Sequence, residues 1–287
     1  MDIKTKRKLR KLSSSFAKNF ILIFFGFIMI YPLIWMFFGT FKTNNDLLGS
    51  TALWPKEFIW TSYRDGWTNA GQFTYGRFFI NSIMMVAPTV LFTIISSAVT
   101  GYGFARFEFP FKKYLFGIMI STMMLPNAVM VIPKFIIFNN LGWTNSYKPF
   151  VIPAAFATGS FFIFLMIQFY RGLPRALDEA ATIDGCGTFG VFIYILLPLT
   201  KPAIISVTIF QFIWTWNDFY NSLIYINSVS KFTVPLALRM TMDITSEAVA
   251  WNRVLAMAVL SMIPCIVLFF CCQKYFVEGI ATTGIKS

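Results

Sequence analysis

Long apolar runs separated by short polar stretches dominate this chain. Six runs reach the roughly 20 residues that a helix needs to cross a hydrocarbon layer of about 30 Å. They cover residues 20–39, 78–105, 114–133, 149–170, 202–225 and 254–273. The first two contain no charged residue, and the second is longer than a perpendicular crossing requires, so it is expected to tilt or to extend past the bilayer. Pro126, Asn127 and Pro133 interrupt the third run, and Pro149 and Pro153 the fourth. Membrane helices tolerate proline where neighbours satisfy the freed carbonyls. The fifth run passes over Asn217 and Asp218 before ending near Tyr225. The pattern predicts an all-α polytopic membrane protein with six transmembrane helices. A basic segment over 1–19 precedes a membrane domain over 20–276, a polar loop at 171–200 interrupts that domain, and a tail follows over 277–287.

Composition supports the same class. Hydrophobic residues make up 57% of the 287 and charged residues 13%, a balance that a water-soluble fold of this size could not bury. The net charge of +12 is distributed by topology rather than gathered for nucleic acid. With six spans, one side holds 15 of the 24 Lys and Arg residues and the other holds 8, with Lys134 near a span end. Seven of the 15 lie within the first 18 residues. Basic residues favour the cytoplasmic side, so both termini are expected there. The first apolar run is longer than a signal-peptide core and no small-x-small cleavage site follows it, so it is expected to be a retained span.

Several chemistries find no residues to perform them. The chain has no histidine, and its four cysteines, Cys186, Cys265, Cys271 and Cys272, show no metal-binding spacing. No G-x-x-x-x-G-K-[ST] loop is present to cradle ATP phosphates. Neither a metal nor a nucleotide cofactor is expected on this chain.

The polar stretch before the fifth run, EAATIDGCGTFGVFIYILLP over 179–198, reads as two short helices joined at a glycine. Pro174 suits the first turn of a helix over 175–184, and Asp178 and Glu179 fall where the helix dipole favours acids. Gly185 can supply a left-handed cap. A second helix should follow through Phe189, Phe192, Ile193 and Leu196 and end before Pro198. Leu177, Ala180, Ala181 and Asp184 are spaced to share one face of the first helix, with small residues that let a partner approach. Periodicity leaves two readings open, a helix resting on lipid headgroups or a docking element.

The order Glu179-Ala180-Ala181, three residues, Gly185, nine residues, Ile195, one residue, Leu197-Pro198 resembles the EAA motif in permease subunits of bacterial ABC importers. GYGFARF at 101–107 resembles the AYAFAR segment of maltose-type permeases. QKYFVEGIATTGIK at 273–286 resembles the ending of the second, shorter permease of carbohydrate importers, and WTWNDF at 214–219 is similar to a segment common in that subfamily. The resemblance implies the type I ABC importer permease fold in a bacterial inner membrane. It implies partners: a second permease, two ATPase subunits that carry ATP and magnesium, and an extracytoplasmic solute-binding protein. It also implies that residues 177–185, notably Leu177, Glu179, Ala180, Ala181, Asp184 and Gly185, form a coupling helix seated in a cleft of an ATPase. The tail, with Gly279 and Gly284, would make a second contact.

The resemblance implies a carbohydrate cargo, an oligosaccharide first, with glycerol-phosphate or another solute as the alternative. Within the fifth run Gln211, Trp214 and Asp218 are spaced for one helical face, with Asn217 beside them. Aromatic rings stack on sugars and carboxylates accept from hydroxyls, so these four are candidates for the path. Structural packing or capping is the competing reading for Asp218. Asn81, Ser82, Ser121, Thr122, Asn127 and Gln168 are weaker candidates. Trp54, Trp60, Tyr63, Trp67 and Trp251 suit either an interfacial aromatic belt or docking of the solute-binding protein. A secondary transporter would instead need an ion-coupling acid deep in the membrane or an internal repeat.

Overall fold

The computed structural model describes residues 3–68, 72–243 and 249–283. Every element among them is helical. In chain order they are α1 (Ile3–Gly39), α2 (Asn44–Gly49), α3 (Ser62–Thr68), α4 (Tyr75–Arg106), α5 (Lys112–Met123), α6 (Asn127–Asn140), α7 (Lys148–Ala155), α8 (Ser160–Gly172), α9 (Ala176–Ile183), α10 (Thr188–Gly190), a π-helical turn (Val191–Leu196), α11 (Leu197–Leu199), α12 (Lys201–Trp216), α13 (Phe219–Tyr225), a 3-10 turn (Val229–Lys231), α14 (Val234–Asp243) and α15 (Trp251–Thr283).

Four stretches are long and apolar enough to cross a membrane: Lys18–Gly39, Tyr75–Arg106, Lys148–Gly172 and Trp251–Lys274. Two further pairs qualify if each bent pair counts as one span, α5 with α6 at 105° and residues 188–199 with α12 at 73°. The first and last helices overrun their apolar runs. No Gly or Pro occurs between residues 3 and 25, nor between 265 and 278, so nothing in the chain stops those helices at the membrane surface.

Two predicted spans are not continuous helices. The run 114–133 breaks between Met123 and Asn127, at Pro126, and turns sharply. The run 202–225 ends its helix at Trp216. The Asp218 carboxylate accepts from the Asn221 backbone N–H at 3.0 Å and caps a separate helix, α13. A short acidic side chain that captures a backbone donor offers the chain an alternative to continued helix. The fourth run carries a milder break at Phe156–Gly159, where Ala157 takes a left-handed φ of 56°. Its freed carbonyls find donors: Ser96 Oγ of α4 donates to the Ala154 carbonyl at 2.7 Å, and Thr158 Oγ1 to that of Pro153 at 2.9 Å. Backbone irregularity at membrane depth requires such partners.

The chain divides into two compact units. One comprises residues 1–70 and 241–261. Here Thr43 Oγ1 caps α2 by accepting from the Asp46 N–H, and Asn44 holds the 249–251 backbone through Val249 O and Trp251 N, each at 2.9 Å. The Lys42 ammonium is fully buried, donating to the Ala52 carbonyl beneath the Trp35 ring. Phe38, Phe41, Trp54, Phe58, Trp60 and Tyr63 form one aromatic cluster, with Trp54 and Trp60 exposed.

The other unit, 71–240 and 262–287, is organised around α4, which packs on α7, α8 and α12. Asn81 and Ser82, weak candidates for a solute path, are buried and bond backbone instead. Asn81 Nδ2 donates to Ser230 O and Phe232 O, and Ser82 Oγ accepts from Val234 N. Asn145 and Tyr147 tie the loop before α7 to residues 227–231. Burial pushes the Tyr147 phenol up to about 12, so it stays a donor at physiological pH.

Helix α4 approaches α8 closely at Gly101. A Cβ placed there would lie 2.7 Å from Met166 Cβ on α8, whereas a Cβ at Gly103, two residues on, would meet nothing within 4 Å. Gly101→Ala is therefore expected to destabilise the protein by about 1–3 kcal/mol through overpacking. Gly103→Ala should be neutral or stabilise by about 0.5–1 kcal/mol, through reduced backbone freedom. Thermal unfolding of the detergent-solubilised variants distinguishes the two.

Candidate functional site: a two-armed module at the end of α4

Alone, an eight-residue helix such as α9 would be marginal in water. Packing and a terminal cap hold it here. Ala181, only 6% exposed, joins Val191, Phe192, Leu196 and Ala203 in one core cluster. At the other end Gly185 adopts φ +84°. Cys186 N then donates to Ala181 O at 2.9 Å and Gly185 N to Thr182 O at 3.1 Å. Those two bonds are the 6→1 and 5→2 pair of a Schellman cap. The expected left-handed glycine is in place, and the second glycine, Gly187, keeps ordinary extended geometry at φ −69°.

The second arm differs from its prediction. It does not end before Pro198 but runs from Thr188 to Leu199 with a π turn over Val191–Leu196. Proline in an α-helix clashes with the carbonyl four residues back and removes a hydrogen bond. The wider π turn just before Pro198 shifts that ladder, and the helix continues through it.

The predicted partner face also needs correction. Ala181 is turned into this chain's own core, so it is not offered to a partner. Leu177 is part-buried, while Glu179, Ala180, Asp184 and Gly185 are exposed. Beside them three large apolar side chains stand out: Ile183 at 86% exposed, Phe189 at 71% and Tyr194 at 75%. The exposed surface therefore combines Glu179, Ala180 and Asp184 with the tips of both arms. Helical periodicity placed Ala180 and Ala181 together, and only the tertiary packing separates them.

Three residues that spacing did not single out as site residues fasten the module to the last turns of α4. Arg106 Nε lies 2.8 Å from Asp178 Oδ2 on α9, with the Arg106 side chain 7% exposed. Arg106 Nη2 also donates to Leu173 O, at the end of α8, at 3.1 Å. One turn earlier, Tyr102 Oη donates to Thr188 O on the second arm at 3.1 Å. The Tyr102 ring stacks on Phe192 with centroids 4.9 Å apart. The signal for these contacts was present in GYGFARF, where Gly101, Tyr102 and Arg106 each now have a stated contact.

The candidate path residues are not brought to one face. Gln211 and Trp214 lie on α12, where Gln211 Nε2 donates to Thr215 Oγ1 at 2.6 Å. Trp214, half exposed, packs against Phe161, Phe162 and Phe210. Asn217 ends α12, its side chain donating to Ile213 O at 2.8 Å. Asp218 lies beyond that helix end, so the spacing from Gln211 to Asp218 does not define a helical face. Both Asp218 oxygens accept from Asn221 Nδ2, at 3.1 and 2.8 Å. Among the weaker candidates, Thr122 and Ser160 share a hydroxyl–hydroxyl bond of 2.8 Å between the α5–α6 and α7–α8 breaks. In the tail, Gly279 falls within α15, and Gly284 lies outside the described residues. No cluster able to hold a metal ion occurs among the described residues.

Comparison with known proteins places this architecture. Residues 97–282, well over half of the chain and including the whole two-armed module, match the family described as binding-protein-dependent transport system inner membrane component. The probable ABC transporter permease protein YurM of Bacillus subtilis (strain 168) is 32% identical over 287 residues, covering 100% of this chain and 93% of the relative. The arabinooligosaccharides transport system permease protein AraQ of Halalkalibacterium halodurans is 29% identical over 266 residues, covering 92% and 93%. A chain in the crystal structure of a bacterial ABC transporter involved in the import of the acidic polysaccharide alginate superposes with a TM-score of 0.80. That comparison covers 96% of this chain and 99% of the other at 21% identity, and it establishes the shared fold. The chain belongs to the binding-protein-dependent transport permeases: it is a multi-pass inner membrane component of an ABC importer, a transport subunit rather than an enzyme.

The Schellman turn can be tested by itself. Gly185→Ala is expected to cost about 1–2 kcal/mol, because a Cβ disfavours the left-handed region. Gly187→Ala, with φ negative and nothing within 4 Å, should be silent. The rate of limited proteolysis at the turn reads the difference.

Proposed function

We propose that this permease is one half of the translocation path of an ATP-driven carbohydrate importer. A second permease completes the path, two ATPase subunits bind ATP and magnesium, and a solute-binding protein delivers the cargo. The carrying observation is the exposed surface of the two-armed module, where Glu179 and Ile183 on α9 and Phe189 and Tyr194 on the second arm are all exposed, the arms being joined at a turn fixed by Gly185. Exposed apolar side chains on the same module as the acids Glu179 and Asp184 suit a protein cleft lined by apolar and cationic groups better than they suit headgroups, which would favour basic residues. ATP-driven closure of the ATPase pair would displace this surface and switch the path between inward and outward access.

The distribution of basic residues supports a cytoplasmic location for both termini, on the side of the module. Gly279 and Gly284 would then lie on the ATPase side as a second contact. The cargo class draws on relatives that move arabinooligosaccharides and, in the solved transporter, alginate. Trp214 with Phe161, Phe162 and Phe210 would supply a stacking platform. Glycerol-phosphate is the alternative cargo. A secondary transporter is disfavoured because Asp218, the acid that would couple an ion, is engaged in capping α13.

Glu179→Ala is expected to lower uptake roughly tenfold or more while the complex remains assembled, the effect of losing about 1.4 kcal/mol at a docking contact. Unchanged uptake would remove the coupling role. ATP hydrolysis by the reconstituted complex with its binding protein should rise with arabino-oligosaccharides or a uronic-acid oligomer. Stimulation by neither, but by glycerol-phosphate, would replace the cargo assignment.

A further inference from the structure

Resting on the reading of α9 as the helix that meets the ATPase, we propose that Arg106 is the positioning residue that makes α4 and the two-armed module move as one body. Arg106 is the last residue of α4 and reaches α9 through Asp178 at 2.8 Å. It also holds the end of α8 through the Leu173 carbonyl. Tyr102, one turn back on α4, holds the other arm through Thr188 O and the Phe192 ring. Each arm is therefore gripped by the same end of one helix. Displacing α9 without α4 would break the Arg106–Asp178 pair and pull on Thr188.

The charge arrangement favours a firm link. Asp178 Oδ1 and Arg106 Nε are both buried without a hydrogen-bond partner, so the 2.8 Å contact between Nε and Oδ2 is an ion pair in which each charge compensates the other. Arg106 is largely buried and Asp178 partly so, and removing the carboxylate leaves the buried guanidinium uncompensated, which is costly. The neighbouring acid is placed differently: Glu179 is exposed. Adjacent positions on a helix point about 100° apart, so α9 offers one carboxylate to its own chain and the next to a partner. From Arg106, α4 runs 32 residues to Tyr75, about 48 Å at 1.5 Å per residue. A displacement at its module end thus reaches the opposite membrane face without crossing a loop.

The test uses the assembled transporter, with its partner permease and ATPases, in lipid nanodiscs. Spin labels are placed at Val99→Cys on α4 and Thr182→Cys on α9, after the four native cysteines are changed to serine. Distances are measured by electron–electron double resonance without nucleotide and after trapping MgADP with vanadate. The expected native result is one narrow distance that is unchanged by trapping. Arg106→Ala and Asp178→Ala should keep that distance without nucleotide and lose it, by shift or broadening, on trapping. Arg106→Lys, which retains the charge, should preserve it. If Arg106→Ala fails to assemble, Asp178→Asn gives the same reading. A native distance that shifts on trapping overturns the proposal. So does an alanine variant that holds the native distance when trapped. Broadening already without nucleotide would make the pair a fold contact only, and also overturns it. An intact complex that traps no nucleotide overturns instead the ATPase reading on which the proposal rests.

Discussion

A charge at the end of a membrane helix must either reach water or find a partner, and the arrangement of the whole module follows from how Arg106 solves that problem. Its guanidinium is largely buried, so it takes a carboxylate from α9 and a carbonyl from the end of α8. A planar fork with several donors can bind both at once, which a lysine ammonium would do with less definition. Around this point the chain brings together the end of α4, the end of α8 and both arms of the module. Gly101, one turn before Arg106, lets α8 come close enough for those contacts to form.

Much of the architecture was legible in the sequence because membrane helices obey strong local rules. Apolar runs such as 78–105 have one viable structure in a bilayer. The left-handed role of Gly185 was legible too, since a glycine after a short acidic-start helix has few other uses. What escaped was tertiary. Arg106 and Asp178 are distant in sequence, and no spacing relates them. Ala180 and Ala181 are neighbours on one face of α9, and periodicity does not say which of them meets the chain's own core. Asp218 was assigned to a helical face on the assumption that α12 continued, and its own carboxylate is what begins a new helix.

The breaks in the helices share a common chemistry. Near Ala157 and at Asp218, a backbone interruption lies beside a short hydroxyl or carboxylate side chain that takes up a loose acceptor or donor. In a bilayer an unsatisfied carbonyl costs several kcal/mol, so such side chains lower the cost of a break. Asn81 and Ser82 follow the same rule away from any break, spending their polar groups on the backbone of 230–234. A polar residue within an apolar run thus marks a backbone need as readily as a solute path, and Gln211 and Asn217 also bond within their own helix.

The π turn over Val191–Leu196 bears on how this protein can vary. It holds about one more residue per turn than the surrounding helix, so it accommodates an extra residue between the module and α12 without re-aiming either. Loss of a single residue there would let the turn relax to α geometry. Because the wider turn fits its extra residue into nearly the same sweep of angle, the module's exposed tips would keep almost the same facing relative to α12. A change of length in this segment is thus tolerated: the turn can absorb the loss of one residue, whereas the same deletion in ordinary α-helix would swing the module by about 100°.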